Sequence, residues 1–426
     1  MDKLRIGIIN DEQYSPTRGG GFTYYHTLLN AIDVHTFHPE LEIVHLVFSK
    51  KKFSKRQFKK QVIYVDTKHK FSPHYFLLKS MSFIEDHILK RRGVGNSRLK
   101  KMTLFRNRRT IKILNKENID LVYYLKPEEN ILDFPLLDFP FITTHWDLAH
   151  KSMYPFPEVS QHGNYEIRDM YYNIILDKAF LIFCESNAGV EELKKYYSVN
   201  PDKVKALPIF SGEVVTQNVT IEQQNKILIQ FQIQKNKYYL YPAQFWALKN
   251  HYNLIHAFSK LVKEDGHTEL KLVLCGGDKG NLNYIRDLIK SLELEDRVVI
   301  AGFISNEELY TFYNNALALV MPTFLGPTNI PLIEAAELNC AVICSDLKGH
   351  KEILGEGALY FDPANAADIA HNMQIVLNAE FRNNLISTAQ ELIKKSPFNI
   401  KKTILLLQDI LLALKPIRKA WGNQIA

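Results

Sequence analysis

The stretch from Ala316 to Ala336, ALALVMPTFLGPTNIPLIEAA, constrains the fold more than any other part of the chain. Ala316 to Met321 is an unbroken apolar run, the pattern of a parallel strand buried on both faces, and Pro322 ends it. A loop with Gly326, Pro327, Thr328 and Asn329 follows, and Pro331 stands where a first helical turn has an N–H to spare. Leu332, Ala335 and Ala336 give that helix an apolar face, with Glu334 expected in its first turn. Strand, small-residue loop and helix N-terminus together make a cradle of backbone N–H groups for an anion or a sugar. An ordinary βα connection without a ligand accounts for the same residues.

A chain of 426 residues is too long for one core and fits two α/β domains of about 200 residues each. Its 46% hydrophobic and 23% charged residues exclude a disordered or fibrous chain. Cys184, Cys275, Cys340 and Cys344 lie in or beside apolar runs and form no CxxC pair, so reduced core thiols of a cytoplasmic protein are expected. LRIGIIN near the N-terminus reads as a strand rather than a signal peptide. The late apolar stretch ILLLQDILLAL is broken by Gln408 and Asp409 and falls short of the ~20 residues that span a bilayer. The net charge of +7 concentrates at 50–60 and at 90–116, the latter with eleven Lys or Arg and no acid. Nucleic acid is not expected, because the aromatic interleaving of such binders is missing. An anionic membrane surface fits better, and a merely solvated basic face stands beside it.

Taken in order, Leu4–Asn10 reads as a buried strand, followed by a loop ending in Gly19, Gly20 and Gly21 and a helix from Phe22 to about Ile32. Successive glycines before a helix let backbone approach a phosphate or sugar. Further strands are expected at 42–48, 62–65 and 120–125, with helices at 74–90 and 98–118. Phe141–Pro155 runs a strand into Thr143, Thr144, His145, Trp146 and Asp147, and strand C-termini are where open α/β sheets hold ligands. A lone histidine there more often satisfies a loop carbonyl. Ser186, with Glu191 and Glu192 beyond it, reads as helix N-terminal chemistry. The polar segment 211–237 reads as a linker. In the second half, strands at 238–241, 270–275 and 298–301 precede the opening stretch. Lys249 at a helix start opposes the dipole, which is tolerable if it pairs with a phosphate held at that terminus. Gly276 and Gly277 form another close-approach loop, and amphipathic helices fill 369–414.

YPAQFWALKNH (Tyr241–His251), LVLCGGDKGN (Leu272–Asn281), VVIAGFISNEELYTFYNNA (Val298–Ala316), MPTFLGPTNIPLIEAA (Met321–Ala336) and AVICSDLKGHKEILGEGALYFDP (Ala341–Pro363) occur in this order. The set resembles the C-terminal half of retaining glycosyltransferases of family 4, covering 238–377 well and the N-terminal half more thinly. The resemblance implies an α/β GT-B fold, with two Rossmann-like, doubly wound parallel-sheet domains facing a cleft. Residues 1–212, completed by a C-terminal helix from about 404 to 426, would form the acceptor side. Residues 213–237 would be the linker, and 238–403 the nucleotide-sugar side.

The resemblance also implies roles. His145 would meet the transferred sugar, although Trp146 separates it from Asp147, where the family often has an adjacent His-Asp pair. Lys249 would bind the diphosphate and Gln244 stands where an arginine is common. Gly20 and Gly21 would face phosphates and acceptor, and Gly276, Phe303 and Ile304 the nucleotide side of the donor. Thr328, Asn329 and Ile330 would hold sugar hydroxyls or phosphate, and Glu334 the ribose. The family's first glutamate, eight positions before Glu334, is Gly326 here. The catalytic set is then His145, Lys249 and Asn329, with front-face displacement, no cofactor and no metal, since no DxD-like pair ends a strand. The expected reaction moves a hexose from GDP-mannose or a similar donor to a glycan or lipid-linked sugar. A non-hydrolysing nucleotide-sugar epimerase and a catalytically silent nucleotide-sugar-binding module are the alternatives.

Overall fold

The computed structural model describes residues 3–48, 54, 56–65, 110–127 and 138–421. The helix expected over 74–90, part of the 50–60 basic run and most of the 90–116 basic run lie outside them. Of the helix expected over 98–118, the described part is helical from 110 to 116.

Two all-parallel sheets carry the chain. The first joins β1 (Leu4–Asn10), β2 (Leu41–Phe48), β3 (Val62–Val65), β4 (Leu121–Tyr124), β5 (Phe141–His145), β6 (Leu181–Cys184) and β7 (Val204–Ala206) in the order β3-β2-β1-β4-β5-β6-β7. The second joins β8 (Tyr238–Pro242), β9 (Lys271–Cys275), β10 (Val298–Gly302), β11 (Ala318–Met321), β12 (Ala341–Ser345) and β13 (Leu359–Phe361) in the order β10-β9-β8-β11-β12-β13. Runs such as LVYY in β4 and ALVM in β11 are buried at every position, as strands covered by helices on both faces must be. Strands β12 and β13 were not anticipated as strands. Each sheet reverses its order next to its first strand, so the loops after β1 and β8 leave the carboxyl ends at switch points. Such crevices are where open α/β sheets bind ligands.

The segment expected to be a linker contains a helix. Ile221–Gln230 is a helix closed by a capping box, in which the Thr220 hydroxyl accepts from the Gln223 N–H while the Gln223 side chain accepts from the Thr220 N–H. It belongs to the second domain: Asn315 donates to Gln224 at 2.9 Å, and Phe231 meets Phe312 edge-on at 5.0 Å. Thr220→Ala should destabilise this helix by about 1 kcal/mol, read as a lower urea midpoint at unchanged slope.

The last helix, Ile400–Lys419, packs against elements of the first sheet's half of the chain. Thr403 donates to the Pro208 carbonyl at 2.9 Å, Arg418 Nε to the Asp120 carbonyl at 2.8 Å, and Trp421 stacks on Phe180. Lys415 pairs with Glu40, and both Arg418 and Lys419 pair with Asp120. Among the described residues no helix is long and apolar enough to cross a membrane.

Candidate active site

The two switch points face each other across a cavity of about 780 Å³, within the size range of small-molecule sites. The domains touch around it. Gln244 Nε2 donates to the Thr17 carbonyl at 2.9 Å, the Leu248 N–H to Glu158 at 2.6 Å, and the Ser186 hydroxyl to the Pro327 carbonyl at 3.3 Å. Glu352 accepts from the N–H groups of Asn187 and Ala188, so a carboxylate of the second domain caps a helix of the first.

From the first domain, Gly20 and Gly21 open the Gly20–Val34 helix and line the cavity. A Cβ on Gly21 would lie 2.7 Å from both the Trp146 ring and the Tyr14 hydroxyl, so glycine is what lets Trp146 seat against the helix start. From the second domain, the loop after β8 supplies Gln244 and Lys249, and those after β9 and β10 supply Gly276, Phe303 and Ile304. Phe303 lines the rim and is 67% exposed. The loop after β11 and the helix Ile330–Glu337 supply Thr328, Asn329, Ile330 and Glu334.

A chain of hydrogen bonds sets the Asn329 amide. His350 is fully buried, and burial lowers its pKa to about 4, so the ring is neutral. Its Nδ1 lies 2.9 Å from the Ser345 carbonyl and must carry the proton; Nε2 therefore accepts from Asn329 Nδ2 at 2.8 Å. That turns Asn329 Oδ1 toward Lys249, whose Nζ is 3.4 Å away. Burial also lowers the pKa of Lys249, with the charges of Asp147 and Glu158 opposing the shift. Asn329 precedes the helix and its side chain caps no N–H; its carbonyl accepts from the Leu332 N–H at 3.2 Å, and Pro331 has no N–H to offer.

Glu334 is the fifth residue of its helix, beyond the first turn where it was expected. The Gly212 N–H donates to Oε1 at 3.2 Å and the Tyr313 hydroxyl to Oε2 at 3.1 Å. Burial raises its pKa to about 7 against those two bonds. Gly326 has φ +145°, and a Cβ there would fall 2.3 Å from Asn329 Nδ2. The Asn329 amide thus fills the space a side chain at 326 would need.

His145 is the exception among the expected residues. It is the last residue of β5 and 1% exposed, it does not line the cavity, and its ring meets Tyr172 edge-on at 5.1 Å. Among the described residues neither ring nitrogen has a hydrogen-bond partner, and burial lowers its pKa to about 3. The strand runs one residue further than a ligand-facing histidine would allow. Trp146 and Asp147 take the strand-end positions in the cavity instead. Burial would raise the Asp147 pKa, but Arg168, 2.8 Å away, and the Ala149 N–H hold it at about 2.

Sequence reasoning missed His350 and Glu185. Both act across chain separations that local patterns do not encode, although His350 lies in a stretch that carried the resemblance. Among the described residues no three His, Cys, Asp or Glu side chains group to hold a metal ion.

Residues 223–392 match the family profile described as glycosyl transferases group 1. The chain is 31% identical over 186 residues to the N-acetylgalactosamine-N,N'-diacetylbacillosaminyl-diphospho-undecaprenol 4-alpha-N-acetylgalactosaminyltransferase of Campylobacter jejuni, covering 43% of this chain and 46% of that one. It is 29% identical over 203 residues to the O-antigen chain mannosyltransferase RfbU of Salmonella typhimurium, covering 47% and 55%. These alignments span about half the length of both relatives. Among solved structures, sucrose-phosphate synthase of Thermosynechococcus elongatus superposes with a TM-score of 0.70 at 17% identity, over 97% of this chain and 100% of that one. HepE of Anabaena, solved with UDP and glucose, gives 0.65 at 13% identity over 97% and 100%. Residues 223–392 thus form a glycosyl transferases group 1 domain, carried on the GT-B architecture of two facing parallel-sheet domains.

Proposed function

We propose that the protein transfers a hexose, with retention and without a metal, from a nucleotide-sugar to a glycan or lipid-linked sugar during surface polysaccharide assembly. The observation that carries this reading is the convergence of Lys249, Asn329 and an uncapped helix start on one wall of the cavity. An ammonium, an amide and a helix dipole there neutralise a departing diphosphate, the largest charge that develops in such a reaction. Glu334 accepts from the ribose hydroxyls and Phe303 covers the base.

With Gly326 where a glutamate would stand, and Asp147 tied to Arg168, the reading favours a single displacement on one face. The bond from the anomeric carbon to the diphosphate oxygen breaks, and the acceptor oxygen bonds on the same side. The acceptor proton passes to the leaving diphosphate. GDP-mannose is the favoured donor, since RfbU and another relative, the O-antigen chain mannosyltransferase B of Escherichia coli, are named for mannose. The Campylobacter relative makes UDP-N-acetylgalactosamine the rival donor to test. A lipid-linked acceptor would place the protein on the cytoplasmic face of the membrane.

Incubation with a panel of nucleotide-sugars tests the reading by slow release of nucleoside diphosphate. Interconversion without release would mark an epimerase, and binding alone a silent module.

A further inference from the structure

The loop carrying Thr328 and Asn329 has a glycine at 326, and the Asn329 amide occupies the room a side chain would take there. A carboxyl reaches this loop from the opposite domain. Glu185 follows β6, is 8% exposed, lines the cavity, and accepts a hydrogen bond at Oε2 from the Thr328 hydroxyl. We infer that Glu185 is a positioning residue for the donor's transferred sugar, its Oε1 meeting a ring hydroxyl from across the cleft. This rests on the nucleotide-sugar reading above.

Three observations support it. Glu185 touches the same loop whose Asn329 meets Lys249, so a sugar attached to a diphosphate at Lys249 lies within its reach. The contact joins the two domains, so the sugar would be gripped only when the cleft is closed. Burial also leaves Glu185 neutral at pH 7, and four groups face it. They are the ionised Asp147 beyond β5, Tyr24 on the first helix, Cys184 on its own strand and the Thr328 hydroxyl. Burial raises its pKa to about 8, Asp147 adds to the rise, and Thr328 opposes it. A neutral acid can both donate to and accept from a hydroxyl without repelling the diphosphate.

Calorimetric titration of the wild type, Glu185→Gln and Glu185→Ala with GDP, GDP-mannose, UDP and UDP-N-acetylgalactosamine at pH 7 and pH 9 tests this. At pH 7 all three proteins should bind the nucleoside diphosphate alike, which also shows that the variants fold. Glu185→Ala should lose roughly ten-fold in affinity for the sugar-bearing donor alone. Glu185→Gln mimics the neutral acid. It should keep the sugar's contribution at pH 7 and abolish the weakening that the wild type shows at pH 9. An unchanged ratio of donor to nucleoside diphosphate affinity in Glu185→Ala overturns the inference while leaving the functional reading standing. Failure of the wild type to bind either nucleoside diphosphate overturns both.

Discussion

Lys249→Met is expected to weaken nucleoside diphosphate binding by about 100-fold, the loss of one or two charge-assisted contacts. Lys249 is half-buried, and among the described residues its ammonium makes one hydrogen bond, to Asn329 Oδ1 at 3.4 Å. Burial disfavours the charge, and Asp147 and Glu158 attract it without forming a hydrogen bond with it. A cation held this way suits an incoming dianion. The same substitution should therefore raise the melting midpoint of the ligand-free protein by about 2 °C, because methionine keeps the apolar stem and removes the penalised charge. Calorimetry and a thermal melt on one preparation check both halves. A variant that loses stability and affinity together would mean that Lys249 holds the fold rather than the ligand.

Glu334 carries the second large effect. Its loss in Glu334→Ala should cost about 1.5 to 3 kcal/mol for each ribose hydrogen bond removed. The pH dependence adds a sharper signature. Its folded pKa of about 7 lies above the ordinary carboxylate value near 4.3, so the neutral form is the one the ligand-free fold prefers. The stability it contributes is fully present below about pH 4.3 and is lost as the pH rises through about 7. Nucleotide affinity should move the opposite way, rising across pH 6 to 8 as the carboxylate forms, because the ionised group accepts stronger bonds from hydroxyls. Glu334→Gln should flatten that rise. An affinity profile equally steep in the variant would assign the titration to another group.

Much of the scaffold was legible because its strands are covered on both faces. A run such as ALVM has few alternatives to a central parallel strand, and the residues after it fall at a sheet's carboxyl edge whatever the details. For the same reason Lys249, Thr328, Asn329 and Glu334 were found together in the cavity. What failed turned on single-residue register or on distant contacts. FITTH ends on His145 rather than before it, and one residue of extra strand moves that side chain from cavity to core. The 211–237 segment looked like a linker from its polar composition, yet Thr220 and Gln223 spell a capping box that announces a helix. Glu185 had no local signal, since its meaning comes from Thr328 on the other domain.

The central claim is that a diphosphate sits between Lys249 and the start of the Ile330–Glu337 helix. A crystal soaked with GDP or UDP tests it most directly. Phosphate oxygens are expected at about 3 Å from Lys249 Nζ and from the Ile330 N–H, with the ribose against Glu334. A nucleotide bound outside the cavity between the two sheets, or with its base rather than its diphosphate at Lys249, would contradict it.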